Sequence, residues 1–240
     1  MSYYFGVTLK SHSVLVSDLS RSEYVGEELR GRQLGTKVFK IRENLYLTGA
    51  GLLHFVDDMG LRAFPQVFQK TPGLRLEDVK ESLKSISEWL DQNYGQLIQT
   101  MTKSIRDENI DAQMLLEQDT ALLLGGVDEN AHPFLVDFHS VENFRPRLMA
   151  NKFTASIPAL YPSGTTIEYV ERLHKKMLVM VKDYLKQLKE IQDSSQQLAL
   201  AVKVLPGLIA IAAQEYAGVS REYEIVVVGS RNSDVYSGTS

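Results

Sequence analysis

Serine at position 2 has the most direct route to chemistry of any residue in this chain, because it follows the initiator Met. A small second residue favours removal of that Met, which leaves Ser2 with a free α-amine beside its own hydroxyl. An α-amine has a pKa of roughly 8. Near neutral pH it can take the hydroxyl proton, directly or through a water. Such a nucleophile needs no histidine. A nearby cation keeps the amine neutral and stabilises charge on the oxygen, and a carboxylate orients that cation. Asp18 and Lys37 are the candidates that the following stretch supplies.

Short strands must position these groups. Residues 3–9 read as an apolar strand, followed by a polar turn at Lys10, Ser11 and His12. A second strand, 13–17, ends on Asp18. A charged segment with three glycines, 19–36, reads as a solvated connector, and its length also suits the edge of a substrate groove. Lys37 opens a third strand, 37–41. The fourth, 45–48, runs into Gly49, Ala50 and Gly51. Four short strands joined by turns predict an antiparallel meander.

Residues 2–51 resemble the amino-terminal part of a proteasome β-type subunit, within the N-terminal nucleophile (Ntn) hydrolase superfamily. Ser2 falls on that family's nucleophilic threonine and Asp18, without a gap, on its active-site aspartate. After a short insertion Lys37 falls on the catalytic lysine, and Gly51 on the glycine whose amide helps form the oxyanion hole. Farther on, residues 121–128, Ala-Leu-Leu-Leu-Gly-Gly-Val-Asp, resemble the family's central strand and turn. The likeness covers roughly the first two thirds of the chain. The family's Gly-Ser-Gly element falls at residues 153–155, where Thr154 keeps a hydroxyl and both flanking glycines are absent. Its later Asp-x-x-Ser-Gly element has no clean counterpart; Glu215, Gly218 and Ser220 stand in that region.

The resemblance implies an α+β fold, a four-layer αββα sandwich of two stacked antiparallel sheets flanked by helices. It implies a peptidase in which Ser2 attacks the carbonyl and its α-amine acts as base. Lys37 would tune the amine, Asp18 would hold Lys37, Gly51 N–H would stabilise the oxyanion, and Thr154 would stand among the catalytic residues. It further implies a homo-oligomeric ring that hides its sites in a chamber, peptide or unfolded-protein substrates, an ATPase unfoldase as a feeding partner, and no cofactor. The alternative is a catalytically silent structural subunit of such a ring, favoured by the missing glycines around Thr154. A third option is an amidase acting on a small non-peptide amide.

The whole chain sets bounds on these readings. Its 240 residues suit one domain spanning 1–240, with 230–240 as a polar tail. Hydrophobic residues make up 44% and charged residues 23%, an ordinary globular composition. A net charge of -4 with pI near 5.8 argues against nucleic acid as a partner. With no cysteine there are no disulfides, thiol nucleophiles or thiolate metal ligands. No uninterrupted apolar run reaches the ~20 residues that span a bilayer, and no signal peptide is evident at the start. The expectation is therefore a cytoplasmic protein with no membrane partner.

The rest of the chain reads as helices, strands, helices and a strand. Leu52, Phe55, Val56 and Met59 recur at helical spacing until Pro65, predicted to bend or end the run. Val79, Leu83, Ile86, Leu90, Leu97 and Met101 mark a stronger helix. The unbroken apolar run 121–124 predicts a strand buried on both faces, paired with 133–138, and 144–148 adds a short edge strand. From Ile167 to Ile191 a heptad-like stripe predicts a long helix packed on the sheet or on a neighbour, with a subunit contact as the sharper reading. Ser194 and Ser195 can cap the next helix, which Pro206 and Gly207 are predicted to kink or split. Residues 223–228 form a β-branched strand. Such blocks of strands and helices indicate segregated layers.

Other chemistries fit less well. His12, His54, His132, His139 and His174 show no metal-ligand spacing. Gly49 and Gly51 lie before a helix but complete no phosphate-binding pattern. The carboxylates single out no glycosidase-like pair.

Overall fold

Strands buried on both faces form the centre of the protein. The computed structural model describes residues 3–25, 28–51, 53–69, 75–108, 120–156, 167–215 and 219–240. One five-stranded sheet has the order β10 (Ala155–Ser156), β1 (Tyr4–Thr8), β2 (Ser13–Asp18), β11 (Glu222–Val228), β12 (Ser233–Thr239). A second has the order β5 (Val38–Arg42), β6 (Leu45–Ala50), β7 (Ala121–Val127), β8 (Pro133–His139), β9 (Arg147–Met149). Every pairing in both is antiparallel.

Alternation along these strands sorts side chains into separate layers. Tyr4, Leu15 and Val226 of the first sheet meet Leu123 and Leu135 of the second in a core between them. Leu122, Leu124 and Val136 point the other way, onto Phe55, Phe64 and Leu83. Those last residues belong to α1 (Leu53–Asp58), α2 (Phe64–Gln69) and α3 (Leu76–Glu108). The outer face of the first sheet, with Phe5, Val14 and Val227, packs on Met177, Leu188, Leu205 and Ile209. These come from α4 (Ile167–Glu190) and α5 (Ser194–Glu215). Each fully buried side chain of this size contributes about 1.5–3 kcal/mol relative to exposure. The chain is thus α+β, with two antiparallel sheets between helices, an arrangement compatible with a sandwich.

The structure corrects the sequence expectations at several points. The four-strand meander is divided: β1 and β2 lie in one sheet, β5 and β6 in the other. Segment 19–36 is no plain connector, because it forms an antiparallel hairpin of β3 (Ser20–Val25) and β4 (Glu28–Leu34). The polar tail is β12, whose backbone pairs with β11 along its whole length. Phe144 is not in an edge strand. It adopts a left-handed conformation, φ 50, and buries its ring against Phe55 and Tyr94.

The two prolines expected to disturb helices have different outcomes. Between α1 and α2 the residues Met59–Ala63 form a π-helical turn, with Phe64 N–H donating to Met59 O. The wider turn carries the helix past Pro65, which has no N–H to place in the ladder. Gly60 in this turn lies against Phe39: a Cβ there would sit 2.2 Å from the ring's Cγ. Gly60→Ala is therefore expected to destabilise the fold by about 1–3 kcal/mol through overpacking, read as a lower urea midpoint. Pro206 lies inside α5, which continues as one helix. The cap of α5 is Asp193, not the two serines, since its Oδ1 accepts Gln196 N–H at 2.8 Å. Buried Gln197 donates back to Leu188 O and Ile191 O, satisfying carbonyls at the end of α4.

The stripe of α4 packs inward through Met177, Val181, Tyr184 and Leu188, the blander of its two readings. α5 is long and apolar enough, by length and composition, to cross a membrane, contrary to the expectation that no such segment exists. One face of it is part of the core described above.

Candidate functional site

Asp18 ends β2 with its carboxylate fully buried. A buried carboxylate must be paired and hydrogen-bonded to remain ionised, and this one is. Oδ1 accepts Tyr3 N–H at 2.7 Å and Lys37 Nζ at 2.9 Å. Oδ2 accepts Ser20 N–H at 3.0 Å and Ser220 N–H at 3.3 Å. Asp18 N–H in turn donates to Tyr3 O at 3.0 Å. Two parts of the sheet and the approach to β11 thus converge on one side chain.

Lys37 lies just before β5, and its side chain is 1% exposed. Burial pushes its ammonium below its usual pKa of 10.5, while the Asp18 carboxylate opposes that shift and the nearby Arg21 adds to it. The unfolded chain therefore binds more protons than the folded one between the depressed value and 10.5. In that window stability must rise with pH, by at most about 1.4 kcal/mol per unit. Lys37→Met should remove this slope, which urea unfolding at a series of alkaline pH values would measure.

The structure brings some of the predicted site residues together and separates others. Asp18 and Lys37 pair directly. Gly51 follows β6 with φ 111, a conformation that L side chains rarely adopt. Val38 lies opposite Thr48, so Lys37 and Gly51 occupy the same end of the β5–β6 pair. Ser2 lies outside the described residues. Tyr3 is the first described residue, and the nitrogen through which it joins Ser2 is the atom bound to Asp18.

Thr154 is elsewhere. Its N–H donates to Thr8 Oγ1 at 2.8 Å, and its carbonyl accepts Thr8 N–H at 2.8 Å. Thr8 ends β1, about 16 Å along the strand from Tyr3. Thr154 therefore does not join the Asp18–Lys37 pair.

Three partners escaped the sequence reading. Ser220, which in sequence only stands near a missing motif, reaches Asp18 through its backbone N–H. Arg21, at the base of the hairpin, pairs with Asp57 of α1 at 2.9 Å and donates to Thr36 O, beside Lys37. Such a base-of-hairpin contact carries no spacing signature. Asp137 of β8 is buried, taking Ser156 Oγ at 2.5 Å and Arg147 Nη2 at 2.7 Å. A lone Asp within the apolar strand Phe134-Leu135-Val136-Asp137-Phe138 was the available signal.

Among the described residues no group of His, Asp and Glu is arranged to hold a metal ion. What the site offers is a buried, ion-paired ammonium and a left-handed glycine amide at one end of two strands. No model of a known protein family matches the chain, and no curated protein matches it.

Proposed function

We propose that this chain is a proteasome-like N-terminal nucleophile peptidase, with the corresponding sandwich fold, acting from Ser2 once Met1 is removed. The observation that carries the reading is the buried Asp18–Lys37 pair bound to the peptide nitrogen of Tyr3. A buried ammonium held by a carboxylate at the start of β1 is what an amine-activated hydroxyl requires. In the proposed cycle the α-amine takes the Ser2 proton, and the hydroxyl oxygen attacks the peptide carbonyl. The departing amine receives that proton, leaving an ester that water hydrolyses. Lys37 keeps the α-amine unprotonated and stabilises charge on the oxygen. Gly51 N–H serves the oxyanion. Substrates would be peptides or unfolded segments, in a homo-oligomeric ring in the cytoplasm that an ATPase unfoldase could feed.

One observation favours a second reading, a silent structural subunit of the same kind of assembly. Thr154, the expected supporting hydroxyl, is held by its backbone N–H and C=O against Thr8 at the far end of β1. A single experiment separates the two: turnover of fluorogenic peptides by protein whose intact mass lacks Met1 and carries no acetyl group, with Ser2→Ala as control. Turnover unchanged by the substitution sinks the peptidase. Its absence in the correctly processed chain leaves the structural subunit.

A further inference from the structure

The outer edge of β12 is built differently from the other sheet edges. β5 carries Lys40 and Arg42, β9 has three residues, and β10 has two. Short length and charge are the usual protections against strand addition. β12 has seven residues, with no proline, no lysine and one charge, Asp234. Among the described residues nothing pairs with its outer side. Val235 is 53% exposed and Tyr236 42%, two large apolar side chains at the middle of the strand.

The register of β12 fixes which of its backbone groups are free. Gly229 N–H donates to Asn232 O and Ser240 N–H to Arg221 O, on the register that pairs Ile225 with Tyr236. Hydrogen-bonded positions alternate along an antiparallel pair. Asp234, Tyr236 and Gly238 therefore bond inward to β11. Ser233, Val235, Ser237 and Thr239 turn their N–H and C=O groups outward.

We propose that β12 pairs antiparallel with β12 of a second copy of this chain, on a two-fold axis at Tyr236. In that register Val235 meets Ser237 of the other copy and Ser233 meets Thr239. Every outward backbone group then finds a partner. The two Tyr236 residues face each other at a non-hydrogen-bonded position, where cross-strand side chains are closest. Asp234 lies opposite Gly238, so no like charges meet. Tyr236 also lines a surface hollow with His12, Leu198 and Val202, and the second Tyr236 would arrive on that same face and roof it. The inference is independent of whether Ser2 is a nucleophile.

The absence of cysteine makes the test direct. Tyr236→Cys places two sulfurs at a site with Cα atoms about 4.5 Å apart, within disulfide range. Ser237→Cys has no equivalent residue opposite it. Mild oxidation of the full chain should give a covalent dimer with Tyr236→Cys at least ~10-fold faster than with Ser237→Cys. Sedimentation of the unsubstituted protein should show assembly through pairs. Val235→Pro removes one outward N–H and no bond to β11, so it should abolish pairing while the chain keeps its folded circular-dichroism spectrum and a cooperative thermal transition. If that variant unfolds, Tyr236→Lys sets two ammonium groups against each other and should give the same loss of pairing. Equal crosslinking at 236 and 237, a monomeric unsubstituted protein, or pairing that survives in the folded variant overturns the proposal.

Discussion

Asp18→Ala is expected to lower the free energy of unfolding by about 3–5 kcal/mol, a large share of the roughly 5–15 kcal/mol that holds a domain together. The substitution leaves the ammonium of Lys37 buried with its carboxylate gone. It also strips acceptors from the N–H groups of Tyr3, Ser20 and Ser220. Buried orphan donors are costly in their own right. Asp18→Asn retains an acceptor oxygen and should lose less. Lys37→Met leaves the Asp18 carboxylate buried without its cation but still bound by three N–H donors, so it should cost less than Asp18→Ala, and in the double variant it should rescue part of the Asp18→Ala deficit. Urea unfolding of the four proteins measures this ordering. Equal stability of Asp18→Ala and the unsubstituted chain would mean that the pair does not hold this end of β1 in solution.

Ser2→Ala should reduce peptide turnover by about 10³-fold or more, since it deletes the atom that forms the covalent bond. Alanine is also a small second residue and allows the same removal of Met1. The α-amine is thereby kept, and the comparison isolates the hydroxyl. Ser2→Thr keeps a hydroxyl on the same carbon and should retain activity. The unfolding midpoint of Ser2→Ala, measured in parallel, separates loss of the nucleophile from loss of fold. An electrophile that acylates the processed protein at Ser2, and fails with Ser2→Ala, would report the same chemistry by mass.

Much of this was legible because burial leaves a pattern in sequence. The run Ala121-Leu122-Leu123-Leu124 announced a strand covered on both faces, and it is one. Asp18 and Lys37 were legible because a strand end and a strand start are places where charge can meet charge. The hairpin of β3 and β4 was not legible, since its strands are polar and glycine-interrupted and lack the alternation that marks a half-buried strand. β12 was hidden for the same reason: Ser233, Ser237 and Thr239 look like a tail until β11 supplies the partner. Thr154 matches a family motif only without that motif's glycines, and the backbone there follows Thr8 instead. At Pro65 the local signal is met, since the regular helix gives way to a π-turn just before it, whereas at Pro206 the helix does not split in two.

The reach of Ser220 to Asp18 also sets a sequence of events in time. The two residues are separated by 202 positions, and the bond closes only when the approach to β11 lies against the end of β2. During synthesis β1, β2 and β5 emerge well before the strand that completes the carboxylate's surroundings. A contact of such long sequence separation must meet a large loop-closure cost and belongs to the kind that slows folding. The growing chain therefore carries Asp18 and Lys37 through some two hundred residues of synthesis before the environment that would fix them can close.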